Sequence, residues 1–464
     1  MSQKKETTIL VLSLLLTLGL VGGGFWLFKN QILPLLPPNP SAGNFDQSIA
    51  NRISFGERIL MPGVSRVNDE VVQAFANQNY SQAIASLESS LKQHPNDPIA
   101  LIYLNNARIG SGRSYTIVAS VPLRTNPNSS LEILRGIAQA QDAVNSSGGI
   151  NGIRLKVGIA NDDDNRQIAE KIAANLVKNS DVLGVIGHSA SDTTLAAGKI
   201  YDSRQLVAIS PTSTTVRLTN FSLYVFRTVP SDFIAARSLA NYMVKNLQKK
   251  QAAIFFNSQS NYSLSLKNEF ASYLSAEGGQ VVSEFDLSLT NFSAARSLEE
   301  AISAGAEVVM LAPNADTLDK ALQVVKVNGK RLPLLAGDTV HNITTLEVGG
   351  EQATGMVVAV PWHISVDPNS KFLQQSQQLW NAVVSWRTAT AYDATVALIA
   401  ALEKNPTRTG VRETLSSPNF STPGASGAVQ FLTTGDRRNS VKLVTIIRNR
   451  NSRSRTGFDF ELIP

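Results

Sequence analysis

From Ser114 onward the chain alternates short apolar, β-branched runs with segments of helix length, and that alternation admits few folds. "YTIVASVPL" reads as a strand, Ser129 to Asn145 as an amphipathic helix, "IRLKVGIAND" as a strand, Arg166 to Lys178 as a helix and "VLGVIG" as a strand. Strands separated by helices predict parallel sheets with right-handed crossovers. The same rhythm runs through "AAIFFN", "QVVSEFDL", "AEVVMLAP" and "LPLLAGD", and then relaxes into a C-terminus of polar turns. A stretch of roughly 350 residues exceeds what one core holds, so two α/β lobes are expected.

The N-terminus is of another kind. After Lys4 and Lys5, residues Thr7 to Phe28 carry no charge; as a helix they would reach ~33 Å, enough for a hydrocarbon core of ~30 Å. The run is longer than a signal-peptide core and ends in Gly22-Gly23-Gly24-Phe25-Trp26 without a small-x-small site. Residues 1–30 are therefore expected to be an uncleaved, single-pass anchor. The lysines would hold its start inside a bacterial inner membrane and place the rest in the periplasm. Residues 31–68, opening with "LPLLPPNPSAG", read as a proline-rich linker.

Residues 69–110 have helical periodicity broken at Asn79-Tyr80 and at His94-Pro95-Asn96-Asp97-Pro98, giving a hairpin plus a third helix. The segment resembles one and a half tetratricopeptide repeats, at Tyr80, Ala83, Leu87, Leu91, Pro95, Ala100 and Leu104. So few repeats read as a packing cap or spacer, or as a docking site for a partner.

Cysteine is absent, which excludes disulfides, Cys-ligated zinc and a lipidated N-terminal Cys. The formal charge is +6, yet Lys and Arg are scattered apart from one C-terminal cluster that includes Arg437, Arg438, Arg448 and Arg450. That cluster reads as solvated loop and strand-edge charge rather than a nucleic-acid surface. No phosphate loop or dinucleotide fingerprint follows the first strand, and no cofactor is implied. Asp162-Asp163-Asp164 ends a strand beside a helix start, where aspartate suits the dipole without a metal.

"GHSAS", Gly187 to Ser191, falls one residue short of the G-x-S-x-G elbow of hydrolases. It lacks the second glycine and an upstream oxyanion loop, although His341 and His363 follow and chain order alone leaves a triad open. The other reading is a ligand cradle: Ser189 and Ser191 sit after a strand and before a helix, where free amides and a positive helix end favour an anion. "AISPTSTT" sets Ser210, Ser213, Thr214 and Thr215 at the next strand end. His188 reads as a hydrogen-bonded support behind the loop, with no carboxylate assigned to it.

The blocks "GIAQAQDAVNSSGGINGIRLKVGIANDDD", "NYSLSLKNEFASYLSAEGGQVV", "GMVVAVP" and "TATAYDATVALIAAL" resemble, in order, the type I periplasmic solute-binding proteins of branched-chain amino acid and amide uptake systems, over about Ser114 to Pro464. The resemblance implies a two-lobe fold of two parallel, Rossmann-like sheets with three hinge crossings. Lobe one would be about 114–231 and 362–418, and lobe two about 232–361 and 419–464.

It also implies a cleft in which Ser191, with Ser189 beside it, receives a ligand carboxylate. Ser213 would contribute backbone groups, and Thr214 would help grip the α-amino and carboxylate groups. Tyr262 would reach across from the second lobe, and Asp338 would pair with an α-ammonium. Asp232 matches an acidic residue near the first hinge but also sits at a helix start. Asn314 and Ala315 stand where the branched-chain binders carry aromatic residues, so a more polar or smaller ligand is expected.

The implied role is capture of an amino acid or small amide, without catalysis, for a membrane permease with a cytoplasmic ATPase. A sensing or scaffold protein acting on a membrane or cell-wall-synthesis partner is the competing reading.

Overall fold

A computed structural model describes residues 48–464; the expected anchor and most of the proline-rich linker lie outside them. Asn51–Pro464 form one unit. Within it two sheets carry the two lobes.

The first sheet has strand order β1-β3-β2-β4-β5-β6. Its strands are β1 (Ile53–Ser54), β2 (Ser114–Val121), β3 (Arg154–Asn161), β4 (Val182–Ile186), β5 (Ala208–Ser210) and β6 (Val225–Arg227). β2 to β6 are parallel, in the register Ile117 opposite Val157 and Val185 opposite Ala208. Ile117, Val118 and Ala119 are buried on both faces, which is why these strands read as continuous apolar runs instead of alternating ones.

The second sheet has order β13-β12-β11-β10-β9-β7-β8. Its parallel part is β7 (Gln251–Phe256), β8 (Gln280–Asp286), β9 (Val308–Ala312), β10 (Leu334–Ala336) and β11 (Val357–Val360). The expectation of purely parallel sheets needs correction at both edges. β1 pairs antiparallel with β3. The C-terminus, expected as polar turns, supplies β12 (Lys442–Arg448), antiparallel to β11, and β13 (Phe458–Leu462), antiparallel to β12.

The linker expected to run to Asn68 ends earlier. Ile53 lies opposite Ala160, the Phe55 ring fills the space left by the missing side chain of Gly158, and Phe55 O accepts from Asn106 Nδ2 at 2.9 Å. The helices expected at 69–110 are present as Asp69–Ala76, Tyr80–Gln93 and Pro98–Ile109. Asn68, Asn79 and Asp97 cap their starts, Asp97 accepting from Ala100 N–H at 3.0 Å. Pro98 to Ala107 are all buried, so the third helix has no solvated face and belongs to the core of lobe one. Asn106 ties it there, donating from Nδ2 to Val157 O at 2.7 Å and accepting from Val157 N–H at 3.1 Å.

Lobe one continues through three helices, Lys371–Trp380, Trp386–Lys404 and Arg408–Leu415; the second packs along Pro127–Ser146. Gly136 permits that packing, since a Cβ there would overlap the backbone of Thr388 and Tyr392. The third crossing, expected after Pro418, falls later. Phe420 stacks on Phe431, which packs edge-on to Phe226 of β6, and Arg227 Nε donates to Asp436 at 2.7 Å. The chain returns to the second sheet only at Lys442.

Arg437, expected in solvent, is instead wholly buried against the wholly buried Asp393 of helix Trp386–Lys404. It also donates to Thr228 O at 3.2 Å, where the first crossing leaves β6. Removing one partner of such a pair strands a charge in the core. Arg437→Ala is therefore expected to cost about 3–5 kcal/mol, read as a lower midpoint in urea unfolding. A loss below about 1 kcal/mol would show that the pair is not the staple described.

Candidate functional site

Between the lobes, a cleft of about 450 Å³ is lined by loops at the carboxyl ends of the parallel strands. Lobe one supplies Thr125 to Ser129 after β2, Asp164 and Arg166 after β3, Ser189 to Asp192 after β4, and Thr212 after β5. Lobe two supplies Tyr262 at the start of helix Asn261–Ala276, Asn314 to Asp316 after β9, and Asp338 and Thr339 after β10. Ligands of open α/β sheets sit at such loop ends.

The loop after β4 is shaped by Gly187, at φ 137°, where a Cβ would lie 2.5 Å from Ser120 O. It delivers Ser189 and Ala190 to the first turn of helix Ser191–Ser203, whose cap residue makes no side-chain hydrogen bond; the Ala190 N–H meets the Asp164 carboxyl, and the turn lies at the cleft. Opposite stands Asp338. Loss of water around it raises its carboxyl to about 6, while the Arg387 guanidinium and the Tyr262 hydroxyl pull the other way. Tyr262 comes close because Gly337 has no side chain; a Cβ there would collide with its Oη.

Of the residues expected at a site, Ser189, Ser191, Tyr262, Asn314 and Asp338 line this cleft. Asn314 is held in place, its Oδ1 accepting from Asn257 Nδ2 at 2.7 Å and its Nδ2 donating to Asp316 at 2.9 Å. Ser213 and Thr214 are buried behind the wall. Ser213 Oγ is 2.7 Å from Thr194 Oγ1, and Thr214 O accepts from Asp232 N–H at 2.7 Å. Asp232 is likewise buried away from the cleft, behind Tyr262 and Asp338.

A model of the periplasmic binding protein family matches residues 117–448. The chain belongs to that family. It is 27% identical over 248 residues to the leucine-specific-binding protein of Salmonella typhimurium, covering 52% of this chain and 65% of that protein, so the match spans under two thirds of the relative. It is 24% identical over 310 residues to the leucine-, isoleucine-, valine-, threonine-, and alanine-binding protein of Pseudomonas aeruginosa, covering 66% of this chain and 82% of that one. The crystal structure of a leucine-binding protein from Thermotoga maritima superposes with a TM-score of 0.66 at 22% identity, over 75% of this chain and 97% of the other.

Periplasmic binding proteins of this family hold solutes and are not enzymes, and the loop chemistry agrees. His188, which had no carboxylate assigned from the sequence, in fact faces Asp162 across 2.6 Å at Nδ1 and Tyr201 Oη across 3.0 Å at Nε2. It is 1% exposed and behind the cradle. His363 donates from Nε2 to Phe460 O at 3.1 Å, and His341 stacks on Phe460. No histidine is hydrogen-bonded to Ser189 among the described residues, so the near-elbow serine has no base beside it.

Sequence reasoning missed Arg387, which is 7% exposed, lines the cleft and donates to His341 O at 2.9 Å. The available signal was an arginine opening an otherwise apolar, Ala/Thr-rich helix after the cap Ser385. It also missed how acidic the cleft is, with Asp164, Asp192, Asp316, Asp319 and Asp338 on its walls. Burial, with Asp162, Asp316 and Asp192 nearby, drives the Asp164 carboxyl well above the usual range, and its Oδ1 has no partner.

Across the rim Asp192 accepts from Asn261 N–H at 3.1 Å, and Arg166 donates to Gln259 O at 3.3 Å, each bond running from lobe one to lobe two.

Burial raises Asp232 to about 7; Ser265 and Thr214 lower it in part, and Asp338 raises it further. Its folded value exceeds that of the unfolded chain, so its favourable contribution is complete below pH about 4 and is lost as pH rises toward 7. Asp232→Asn is expected to match the parent at pH 4 and to exceed it by on the order of 3 kcal/mol at pH 8. Denaturant melts at the two pH values check this, and an equal difference at both would refute it.

Proposed function

We propose that this chain is an extracytoplasmic solute-binding protein that captures an amino acid or related small amide in the inter-lobe cleft and hands it to an ABC-type uptake system. The observation that carries this is the opposition of two receptors. The first turn of helix Ser191–Ser203, with Ser189 and Ser191, faces Asp338 across one cleft. Amides at a positive helix end suit an α-carboxylate, and a carboxylate poor in water suits an α-ammonium. The names of the relatives, leucine-specific and leucine/isoleucine/valine/threonine/alanine binders, support an amino acid as the class.

The lining argues for a polar ligand rather than a branched aliphatic one. Asn314, Arg387 and the aspartates occupy the walls, and Leu318 and Trp386 are the large aliphatic and indole side chains among them. Closure on the ligand would be hinge motion about the three crossings, with the ligand bridging both lobes. A single-pass N-terminal anchor would tether the protein on the periplasmic side of the inner membrane, beside its permease. That segment lies outside the described residues, and no described helix is long and apolar enough to cross a membrane.

Thermal melting of the full chain against amino acids, amides and small peptides tests the reading. A ligand at 100 times its Kd stabilises by ~2.7 kcal/mol. For an ammonium-bearing ligand, Asp338→Asn is expected to remove that shift. Because Asp338 is ionised only above about 6, affinity is expected to fall about tenfold between pH 7 and pH 5. An ammonium ligand bound equally well at both pH values and by Asp338→Asn would overturn the assignment of Asp338.

A further inference from the structure

The cleft is not the largest cavity among the described residues. A second one, of about 610 Å³, lies on the far side of Asn128, Asn342 and Trp386, which line both. Its walls come from helix Pro127–Ser146 of lobe one, the segment His341 to Leu346 of lobe two, the loop before Trp386, and the C-terminal strand at Phe460. It runs toward a third hollow of about 390 Å³ beneath the N-terminal helices, with Asn96, Asn381 and Arg455 common to the two.

The lining of this space is mixed, and its apolar part differs from that of the cleft: Trp362, Trp386, Phe460, Ile343, Leu346 and Val384 contribute to it. His341 adds to that surface, its ring stacked on Phe460 with centroids 4.1 Å apart and planes 27° from parallel. Burial, Arg387 and His363 all disfavour a proton on His341, so the imidazole is a neutral part of the wall. Trp386 is 2% exposed, and its Nε1 has no hydrogen-bond partner.

The rim carries Arg135, Arg453 and Arg455, with Glu132 and Asp459 among them. Arg135 donates from Nε to Asn96 Oδ1 at 2.6 Å; Glu132 and Asp97 act on it electrostatically, but neither lies within ion-pair distance. The Arg455 and Arg66 side chains form no described ion pair or hydrogen bond. The nearby carboxylates are committed elsewhere. Asp459 accepts from Asn449 Nδ2 at 2.8 Å and from Arg453 and Ser454 N–H at 3.0 Å. Asp97 accepts from Ser65, Arg66 N–H and Ala100 N–H, and Glu132 faces Ser385 and Arg387.

We infer that this second cavity is a binding site for a small organic anion with a flat apolar body, its ring against Phe460, His341 and Trp386 and its carboxylate toward Arg135 and Arg455. Apolar walls with a few placed charges are how small-molecule sites gain both affinity and orientation. A guanidinium matches a carboxylate in two hydrogen bonds. The cleft, by contrast, has five aspartates on its walls, with Asp338 as the partner for an ammonium.

Benzoate, benzamide and benzylamine, equal in shape and different in charge, are the probes, titrated calorimetrically into the full chain. Benzoate is expected to bind, benzamide more weakly and benzylamine least. The double variant Arg135→Gln/Arg455→Gln, both at rim positions, is expected to weaken benzoate about tenfold or more and to leave benzamide unchanged. The cleft variants Ser191→Ala and Asp338→Asn are expected to leave benzoate unchanged, which separates this site from the amino-acid cleft whatever that cleft binds. Filling the space by Val384→Trp is expected to abolish benzoate binding, with unfolding melts verifying that the variant is folded. The inference is overturned if benzoate fails to bind the folded parent at on the order of 10 mM, if benzylamine binds as well as benzoate, or if benzoate binding is lost in Ser191→Ala and kept in the double-arginine variant.

Discussion

The arrangement of the lobes depends on one buried ion pair. Asp393 and Arg437 are both wholly inaccessible, and each reaches beyond the other. Asp393 also accepts from the N–H groups of Ala425 and Ser426, and Arg437 donates to the carbonyls of Gly427, Ala428 and Thr228. Thr228 Oγ1 in turn donates to Thr390 O at 2.8 Å. The first crossing, the long lobe-one helix and the segment leading to the third crossing are thus sewn together at one place. A buried pair of this kind adds little net stability over a well-packed apolar substitute. What it fixes here is where the chain leaves one lobe for the other, and so how the two rows of strand-end loops face each other.

Given that hinge, the cleft gathers carboxylates that are short of water. Burial raises Asp164 and Asp338 and, behind them, Asp232, which Asp338 raises further. Asp164 Oδ1 and Asp232 Oδ2 are buried without hydrogen-bond partners. The bonds that cross the rim are by contrast polar and partly solvated; Arg166, which donates to Gln259 O, has a side chain that is 56% exposed. Contacts of that sort contribute little. A stiff hinge, an unsatisfied interior and weak clasps at the rim suit a clamp whose closure is decided by what fills it.

The strand and helix alternation made the two lobes legible, because strands buried on both faces show as continuous apolar runs, and "VLGVIG", "AAIFFN" and "AEVVMLAP" are such runs. Ser189 and Ser191 were legible because a strand end before a helix places polar residues in a cleft, whereas Tyr262 and Asp338 came from the family resemblance. What stayed hidden lacks a local signature. β1 is two residues long and takes its register from β3, more than a hundred positions away. Arg387 and Arg437 look like surface charge until their distant partners are known. Ser213, Thr214 and Asp232 belong to the right loops, yet the side of the loop they face is set by tertiary packing. His188 was read as a support, and only the structure supplies Asp162 as its partner.

The formal charge of +6 resolves in the same way. Several arginines organise backbone instead of meeting a partner. Arg408 donates to the carbonyls of Val182, Val177 and Asn179, closing the end of helix Arg166–Leu176. Arg227, almost wholly buried, donates to Thr215 O at 2.7 Å and to Thr219 Oγ1 at 2.9 Å, and so holds the loop after β5. A guanidinium has five donors in a rigid plane and is weakly hydrated for a cation, which suits it to gathering carbonyls in a core. A formal charge reached partly in this way does not by itself imply a basic surface. Arg135, half-buried, and Arg455, exposed, are the contrast: both line a large aromatic cavity without an ion pair among the described residues, and the proposal of a second site rests on that placement.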